Sequence, residues 1–266
     1  MDFPSTPRTR LAAPALPTLE QLLEVFKQIE DHSLTQSNCP VGQYLCVRLD
    51  GIKVSKRFLK DNLTHPQFFK LLWRSVADTY TLLKWQSDKE NKNFFLCAVA
   101  LSDEISFILN NRQNYYENRV FKIATMLAGN LSAYTTLHYQ AAQKRPEIIA
   151  FDARPLILES YERVEEYIRF RYLIGRRNAM CKVLRIAKVF PRDELYETGL
   201  MNDVPGLIRA IEQHGLGNKV QQVLSDFRLF VPDAQSEFTQ HVLSGQVDGT
   251  GLSLRPLKDF HRWLSS

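Results

Sequence analysis

Two short acidic motifs at the ends of apolar runs carry the residues best suited to chemistry. Asp50 closes the run 44–49, and the triplet 102–104 separates the runs 95–101 and 105–109. Carboxylates at the ends of buried strands can hold two divalent metal ions, which stabilise the attacking and leaving oxygens of a phosphoryl transfer. The motifs therefore predict a two-metal phosphoryl-transfer site that contains Asp50, Asp103 and Glu104.

The elements that must position these residues follow from hydrophobic periodicity and capping signals. Thr18 to Gln21 has the form of a capping box at the start of an amphipathic helix, and Pro66 begins a second helix that runs to about Lys84. The predicted strands are 44–49, 93–100, 105–109 and 148–152, with a long helix over 115–143. A basic helix is predicted from about Leu158.

The resulting order β-α-β-β-α-β predicts an α+β, ferredoxin-like fold with added helices. In that fold the first and third strands are central, adjacent and antiparallel, so the end of the first lies beside the beginning of the third. We therefore expect Asp50 to meet Asp103 and Glu104 at one edge of the sheet, although the two motifs are about fifty residues apart.

Composition limits the class of protein further. A chain of 266 residues with 44% hydrophobic content can bury a sizeable core, and its apolar runs are too short for a transmembrane helix. Its four cysteines lack metal-ligand spacing, and the first 17 residues lack the apolar centre of a signal peptide. These features predict a cytoplasmic protein with no membrane partner. The net charge of +5 permits a polyanionic partner without requiring one.

Three regions are expected along the chain: a flexible leader (1–17), the catalytic domain (18–190) and a mostly helical extension (191–266). Within the catalytic domain, residues 161–192 are rich in Lys and Arg, and their acids cluster near the N-terminal end, which suits a helix. A solvated helix face and an RNA-binding surface both agree with this pattern. Its aromatic side chains could be core residues or could stack on bases.

Five short motifs, in this order, resemble the tRNA-His guanylyltransferase family and most closely its 3′-to-5′ polymerase-like branch. They are 47–51, 102–107, Arg119-x-x-Lys122, 151–154, and Arg171 followed by 177–179. The resemblance spans about 44–186. It implies a polymerase-like palm domain that adds nucleotides to the 5′ end of RNA, with tRNA as the expected substrate. It also implies two Mg²⁺ ions, GTP, ATP and other nucleoside triphosphates as substrates, and a homotetramer built as a dimer of dimers.

The resemblance also implies roles for individual residues. It places the metal ions on Asp50, the carbonyl of Gly51 and Asp103, with Glu104 adjacent. The nucleotide-binding residues it implies are Asp50, Gly51, Ile52, Lys53, Val54, Ser55, Ser102, Asp103, Arg119, Lys122 and Arg154. RNA contacts are predicted on the basic helix at Arg171, Arg176, Arg177 and Asn178.

The chain departs from the family pattern after the first acidic motif, where Ile52 stands in place of the usual Arg. The stretch 176–179 is closer to the polymerase-like branch than to the guanylyltransferases proper. Two alternative functions stay open at this point. One is a palm-fold cyclase or nucleotidyltransferase that acts on nucleotides alone, and the other is a non-catalytic RNA- or protein-binding relative.

Overall fold

A computed structural model of the chain describes residues 17–54, 66–86, 94–110, 115–144, 146–191, 194–195, 199–224, 227–232 and 252–256. Ser55, predicted to bind nucleotide, lies outside these ranges, as does the predicted leader apart from Pro17. None of the helices in the described ranges is long and apolar enough to cross a bilayer.

Helices and strands alternate along most of the chain. In chain order they are α1 (Leu19–Ser33), β1 (Tyr44–Gly51), α2 (Pro66–Gln86), β2 (Phe95–Leu101), β3 (Glu104–Leu109), α3 (Val120–Gln143), β4 (Phe151–Leu158), α4 (Tyr161–Ile186), α5 (Val204–Gln213), α6 (Gly217–Leu224), β5 (Arg228–Pro232) and β6 (Leu252–Pro256). A turn with positive φ at Tyr116, Glu117 and Asn118 occupies Tyr115–Asn118, and a short 3₁₀ helix covers Leu200–Asn202.

The strands form one sheet in the order β4-β1-β3-β2-β5-β6, in which each pair of neighbours is antiparallel. The first four strands have the ferredoxin-like arrangement, so the predicted fold is confirmed. As expected, β1 lies beside β3, and Asp50 is directly opposite Glu104. This pairing brings two distant parts of the sequence to the same end of the sheet.

Alternation along β1 divides the core into two layers. Leu45, Val47 and Leu49 pack in the layer formed with α2 and α3, whereas Cys46 packs in the layer formed with α1 and α4. Because successive side chains of a strand point to opposite faces, Asp50 lies on the same face as Cys46. The acidic end of β1 therefore faces the side of the sheet covered by α1 and α4.

Two predicted boundaries differ from the structure. The fourth strand covers Phe151–Leu158 instead of 148–152, and α4 accordingly begins at Tyr161. β4 includes Pro155, which is tolerated because β4 lies at the edge of the sheet formed by the described strands, where a residue without an N–H donor can be accommodated.

The region after residue 191 contributes strands as well as helices. β5 pairs with β2, and β6 extends the sheet beyond it. The buried residues of α5 and α6 join the same hydrophobic cluster as those of α4. The described part of this region therefore shares a core with the palm-like domain.

Candidate active site

The two acidic motifs are joined by a backbone hydrogen bond. The N–H of Gly51 donates to the carbonyl of Asp103 at 3.1 Å. Asp103 is 7% exposed, and the Ser102 hydroxyl donates to its Oδ1 atom at 3.0 Å. Because Asp50 precedes Gly51, the pairing of β1 with β3 keeps Asp103 close enough to Asp50 for their charges to interact.

Gly51 allows this close approach. A Cβ atom at this position would lie 2.6 Å from Val54 Cγ2 and 3.3 Å from Asp103 Cβ. The space is therefore too small for a side chain unless the loop or the β2–β3 turn moves. The turn itself has only two residues, and Ser102 adopts a left-handed backbone with φ 56°.

The electrostatic environment disfavours a charge on Asp50. Its pKa is raised from 3.8 to about 6, chiefly by desolvation and then by the nearby charges of Asp103, Glu104 and Asp152, whereas Arg48 acts in the opposite direction. Like charges held together raise a carboxyl pKa because ionisation of one opposes ionisation of the next. A bound cation would relieve this repulsion.

Asp152 is a member of the site that the sequence analysis missed. It lies opposite Asp50 on β4 and is exposed. The signal was present, because Asp152 belongs to one of the five motifs, but only the register of β4 shows that it adjoins Asp50. With Glu104 on the other side, three acids form a row across three strands.

The charges at this end of the sheet suit a divalent cation. Five carboxylates meet three guanidinium groups, which leaves an excess of two negative charges among these residues. The groups are Asp50, Asp103, Glu104, Asp152 and Glu30 against Arg48, Arg154 and Arg171.

The donor atoms fit magnesium held together with a nucleotide. Among the described residues, no three His, Cys, Asp or Glu side chains are arranged to hold a metal ion by themselves. Mg²⁺ is usually bound by one or two carboxylates together with substrate phosphates and water, at hard oxygen atoms. Asp50, Asp103 and the carbonyl of Gly51 offer that set.

A chain of ion pairs extends from Glu104 away from the acids. Arg171 Nη2 lies 2.5 Å from Glu104 Oε1, and Arg48 Nε lies 3.9 Å from the same atom. Arg48 then pairs with Glu30 at 3.2 Å, and Arg154 pairs with Glu30 at 3.4 Å. Arg154 is half exposed, so a substrate can still approach it.

Of the residues predicted to contact RNA, Arg171 is the least accessible to a ligand. It is 7% exposed because it lies on the face of α4 that packs against the sheet, one turn after the buried Tyr167. By contrast, Arg176 and Asn178 are exposed on the next turn, and Arg177 is partly exposed and contacts Asn178 and Asn202. The basic pattern of α4 therefore combines the inward guanidinium of Arg171 with an exposed polar surface further along the helix.

Arg119 and Lys122 lie at the other end of the sheet. Arg119 is the N-cap residue of α3 and forms a β-bridge with Asn38, which precedes β1. Asp50 is six residues beyond the start of β1, which corresponds to about 20 Å along the strand. Both basic side chains are exposed, and within one chain they are not brought to the acids.

The loop after Gly51 is only partly available to a ligand. The N–H of Ile52 donates to the carbonyl of Ala150 at 2.9 Å, and the side chains of Ile52 and Lys53 are exposed. Val54 was predicted to contact nucleotide, but its side chain is 1% exposed and packs in the core with Leu49. The buried Val54 side chain therefore packs against the Gly51 turn and supports it.

Comparison with known proteins gives a consistent result. The family model described as tRNAHis guanylyltransferase matches residues 23–159. A tRNA(His) guanylyltransferase from Candida glabrata is 25% identical over 158 residues, which are 56% of this chain and 62% of that protein. The one from Saccharomyces cerevisiae is 26% identical over 157 residues, 55% of this chain and 60% of that protein. The chain thus spans less than two thirds of either relative.

A solved structure extends the likeness over most of the chain. It is titled as a bacterial tRNA(His) guanylyltransferase-like protein in complex with ATP. Its TM-score is 0.56 at 16% identity, with 87% of this chain and 90% of that chain covered. At this level of identity the match shows that the two chains share a fold.

Proposed function

This chain belongs to the tRNAHis guanylyltransferase family, and we propose on that basis that it is a Mg²⁺-dependent nucleotidyltransferase adding nucleotides to the 5′ end of RNA, with tRNA as its substrate. The observation that carries the proposal is the meeting of Asp50 and Asp103 at one end of the sheet, joined through the Gly51 hydrogen bond. The raised pKa of Asp50 supports a cation at this position.

In this proposal Asp50, Asp103 and the Gly51 carbonyl would hold two Mg²⁺ ions, which when bound would supply activation of the attacking hydroxyl and charge neutralisation at the leaving group. The 3′-hydroxyl of the incoming nucleotide attacks the α-phosphorus of an activated RNA 5′ end, and pyrophosphate or AMP leaves. Arg154, on the same sheet face as Asp50, provides a charge-assisted contact to phosphate oxygens. Ser102 and the exposed residues Ile52 and Lys53 border the nucleotide.

The experiment is a 5′-extension assay. A tRNA transcript that lacks its first nucleotide is supplied with a 5′-triphosphate, or with a 5′-monophosphate and ATP, and incubated with all four nucleoside triphosphates and Mg²⁺. We expect products one or more nucleotides longer at the 5′ end. Absence of extension with either RNA, or extension that Asp103→Ala leaves unchanged, would overturn the proposal.

The exposed surface of α4 is proposed to bind RNA through Arg176, Arg177 and Asn178. Reversing the charge of Arg176 and Arg177 (both to Glu) should weaken RNA binding and reduce the salt dependence of log K by about 0.7 to 0.9 per lost phosphate contact. Mg²⁺-dependent GTP binding should be unchanged. Filter binding at several salt concentrations measures the first quantity, and calorimetry measures the second.

The matched control for this experiment is the double variant Lys70→Glu and Arg74→Glu, on the exposed surface of α2. This helix packs on the other face of the sheet, so the same change of net charge is expected to alter RNA affinity much less. Equal losses of RNA affinity in both variants would contradict a specific RNA-binding surface on α4. Intact nucleotide turnover in the α4 variant would favour the function that uses nucleotides alone.

The distant pair Arg119 and Lys122 gives a further prediction. Replacing both by Ala should change Mg²⁺-dependent GTP binding at the carboxylate site by less than about twofold, since 20 Å exceeds the screening length of about 10 Å. Calorimetry of the purified variant measures this affinity. A tenfold loss would indicate that these side chains reach the triphosphate of a neighbouring copy, as the homotetramer implied by the family resemblance would permit.

A further inference from the structure

Helix α4 contacts both sides of the turn that carries Asp103. Arg171 pairs with Glu104, which follows the turn, and Gly175 packs against Leu101, which precedes it. Because residues four apart in a helix share one face, the two contacts come from consecutive turns of the same surface. The residues between these contact points are Ser102 and Asp103, and they are the whole β2–β3 turn.

The contact at Gly175 is unusually close. A Cβ atom added there would lie 1.9 Å from Leu101 Cδ2 and 3.1 Å from Leu101 Cγ. Gly175 is buried in the interior of α4, where glycine costs about 1 kcal/mol relative to alanine. Its presence is explained by the approach of the helix to the end of β2.

The contact at Arg171 is an ion pair with little access to solvent. The side chains of Arg171 and Glu104 are 9% and 22% exposed, and Arg48 adds a second positive charge beside Glu104. Removing Arg171 would leave the largely buried Glu104 charge with only the more distant Arg48 at 3.9 Å, which is unfavourable. The Glu104 carboxylate is therefore engaged by guanidinium groups on the α1 and α4 side of the sheet.

We propose that Arg171 and Gly175, acting on Glu104 and Leu101, form a clamp that fixes the Ser102–Asp103 turn and so sets the position of the Asp103 carboxylate for metal binding. Arg171, Gly175 and Glu104 are then positioning residues, and Glu104 is no metal ligand. This inference rests on the proposed function for its metal site, and it replaces the expected roles of Arg171 in RNA binding and of Glu104 in catalysis.

The test measures the Mg²⁺ concentration that half-saturates GTP binding, by calorimetry on the full chain. We expect Arg171→Met and Gly175→Ala each to raise this concentration at least fivefold. Affinity for tRNA should stay within twofold of the unmodified protein. The double variant Gly175→Ala with Leu101→Ala restores the space between helix and strand and should return the Mg²⁺ requirement to within threefold.

A second double variant separates positioning from folding. Arg171→Met with Glu104→Gln removes both buried charges, so its melting temperature should exceed that of Arg171→Met alone. Its Mg²⁺ requirement should nevertheless stay raised at least fivefold, because the turn is no longer held. A requirement that recovered together with the melting temperature would reduce the ion pair to a structural role and overturn the proposal.

Two other results would also overturn it. One is a loss of tRNA affinity in Arg171→Met with an unchanged Mg²⁺ requirement, which would restore the RNA contact. The other is a Gly175→Ala protein with a normal Mg²⁺ requirement, or one that Leu101→Ala fails to rescue. If the unmodified protein binds Mg²⁺ and GTP yet extends no RNA, the proposed function fails while the clamp is still tested by metal dependence.

Discussion

Replacing Asp103 by Asn is expected to reduce 5′ nucleotide addition by about a thousandfold or more. The side chain keeps its size and loses its charge, so the proposed metal site loses one of its two carboxylates. Metal ions in such sites stabilise the transition state by several kcal/mol, and each 1.36 kcal/mol of stabilisation corresponds to a factor of ten in rate. Single-turnover extension at saturating RNA and nucleotide measures the effect.

The control for this prediction is Asp31→Asn, an identical chemical change at an exposed position of α1. Its extension rate should equal that of the unmodified protein within about twofold, as is usual for surface substitutions away from specific contacts. A decrease of less than tenfold in Asp103→Asn would contradict the assignment of this carboxylate to the metal site.

Replacing Asp50 by Asn should abolish activity and yet stabilise the metal-free protein at neutral pH. The pKa of Asp50 is raised from 3.8 to about 6 in the folded chain, first by desolvation and then by neighbouring acids. The folded state therefore holds this proton more tightly than the unfolded state. The associated stability is fully present below pH 3.8 and is lost as the pH rises through about 6.

Melting temperatures in a chelating buffer between pH 5 and pH 8 measure this effect. We expect Asp50→Asn to melt above the unmodified protein at pH 8, with a difference that shrinks below about pH 6. Adding Mg²⁺ and GTP should stabilise the unmodified protein by mass action and reverse the order. A metal-free Asp50→Asn protein that melted lower at pH 8 would show that the Asp50 charge is favourable there.

The convergence of Asp50 and Asp103 could be predicted because it depends on strand order alone. Hydrophobic runs identified the strands, and the antiparallel pairing of β1 with β3 then placed the ends of the two motifs together. An error of a residue or two in a strand boundary leaves that result unchanged. The same reasoning could not reach Asp152, because the predicted fourth strand was placed too early for its register with β1 to be known.

The roles of the basic residues depended on helix orientation, which the sequence does not determine. Arg171 and Arg176 are both basic residues of α4, but packing against the sheet turns the first inward and leaves the second exposed. For Arg119 and Lys122, the sequence did not show at which end of the sheet their helix begins. The helix that follows β3 begins at the far end of the sheet, so its first residues lie away from the acids.

The strands after residue 191 were missed for a related reason. β5 has only five residues, and its hydrogen bonds run to β2, more than a hundred residues earlier in the chain. A short strand buried by long-range pairing carries little local pattern, since its apolar residues need not alternate with polar ones. Its assignment requires knowledge of which edge of the sheet is open.

The position of the newly added nucleotide tests the proposed 5′-end nucleotide addition most directly. A 5′-triphosphorylated tRNA lacking its first nucleotide is incubated with Mg²⁺ and GTP labelled at the α-phosphate, and the product is digested from each end. We expect label at the 5′ terminus with release of pyrophosphate, and no label in the Asp103→Asn reaction. Label at the 3′ terminus, or 5′ label that persists in Asp103→Asn, would contradict nucleotide addition to the 5′ end at the Asp103 site.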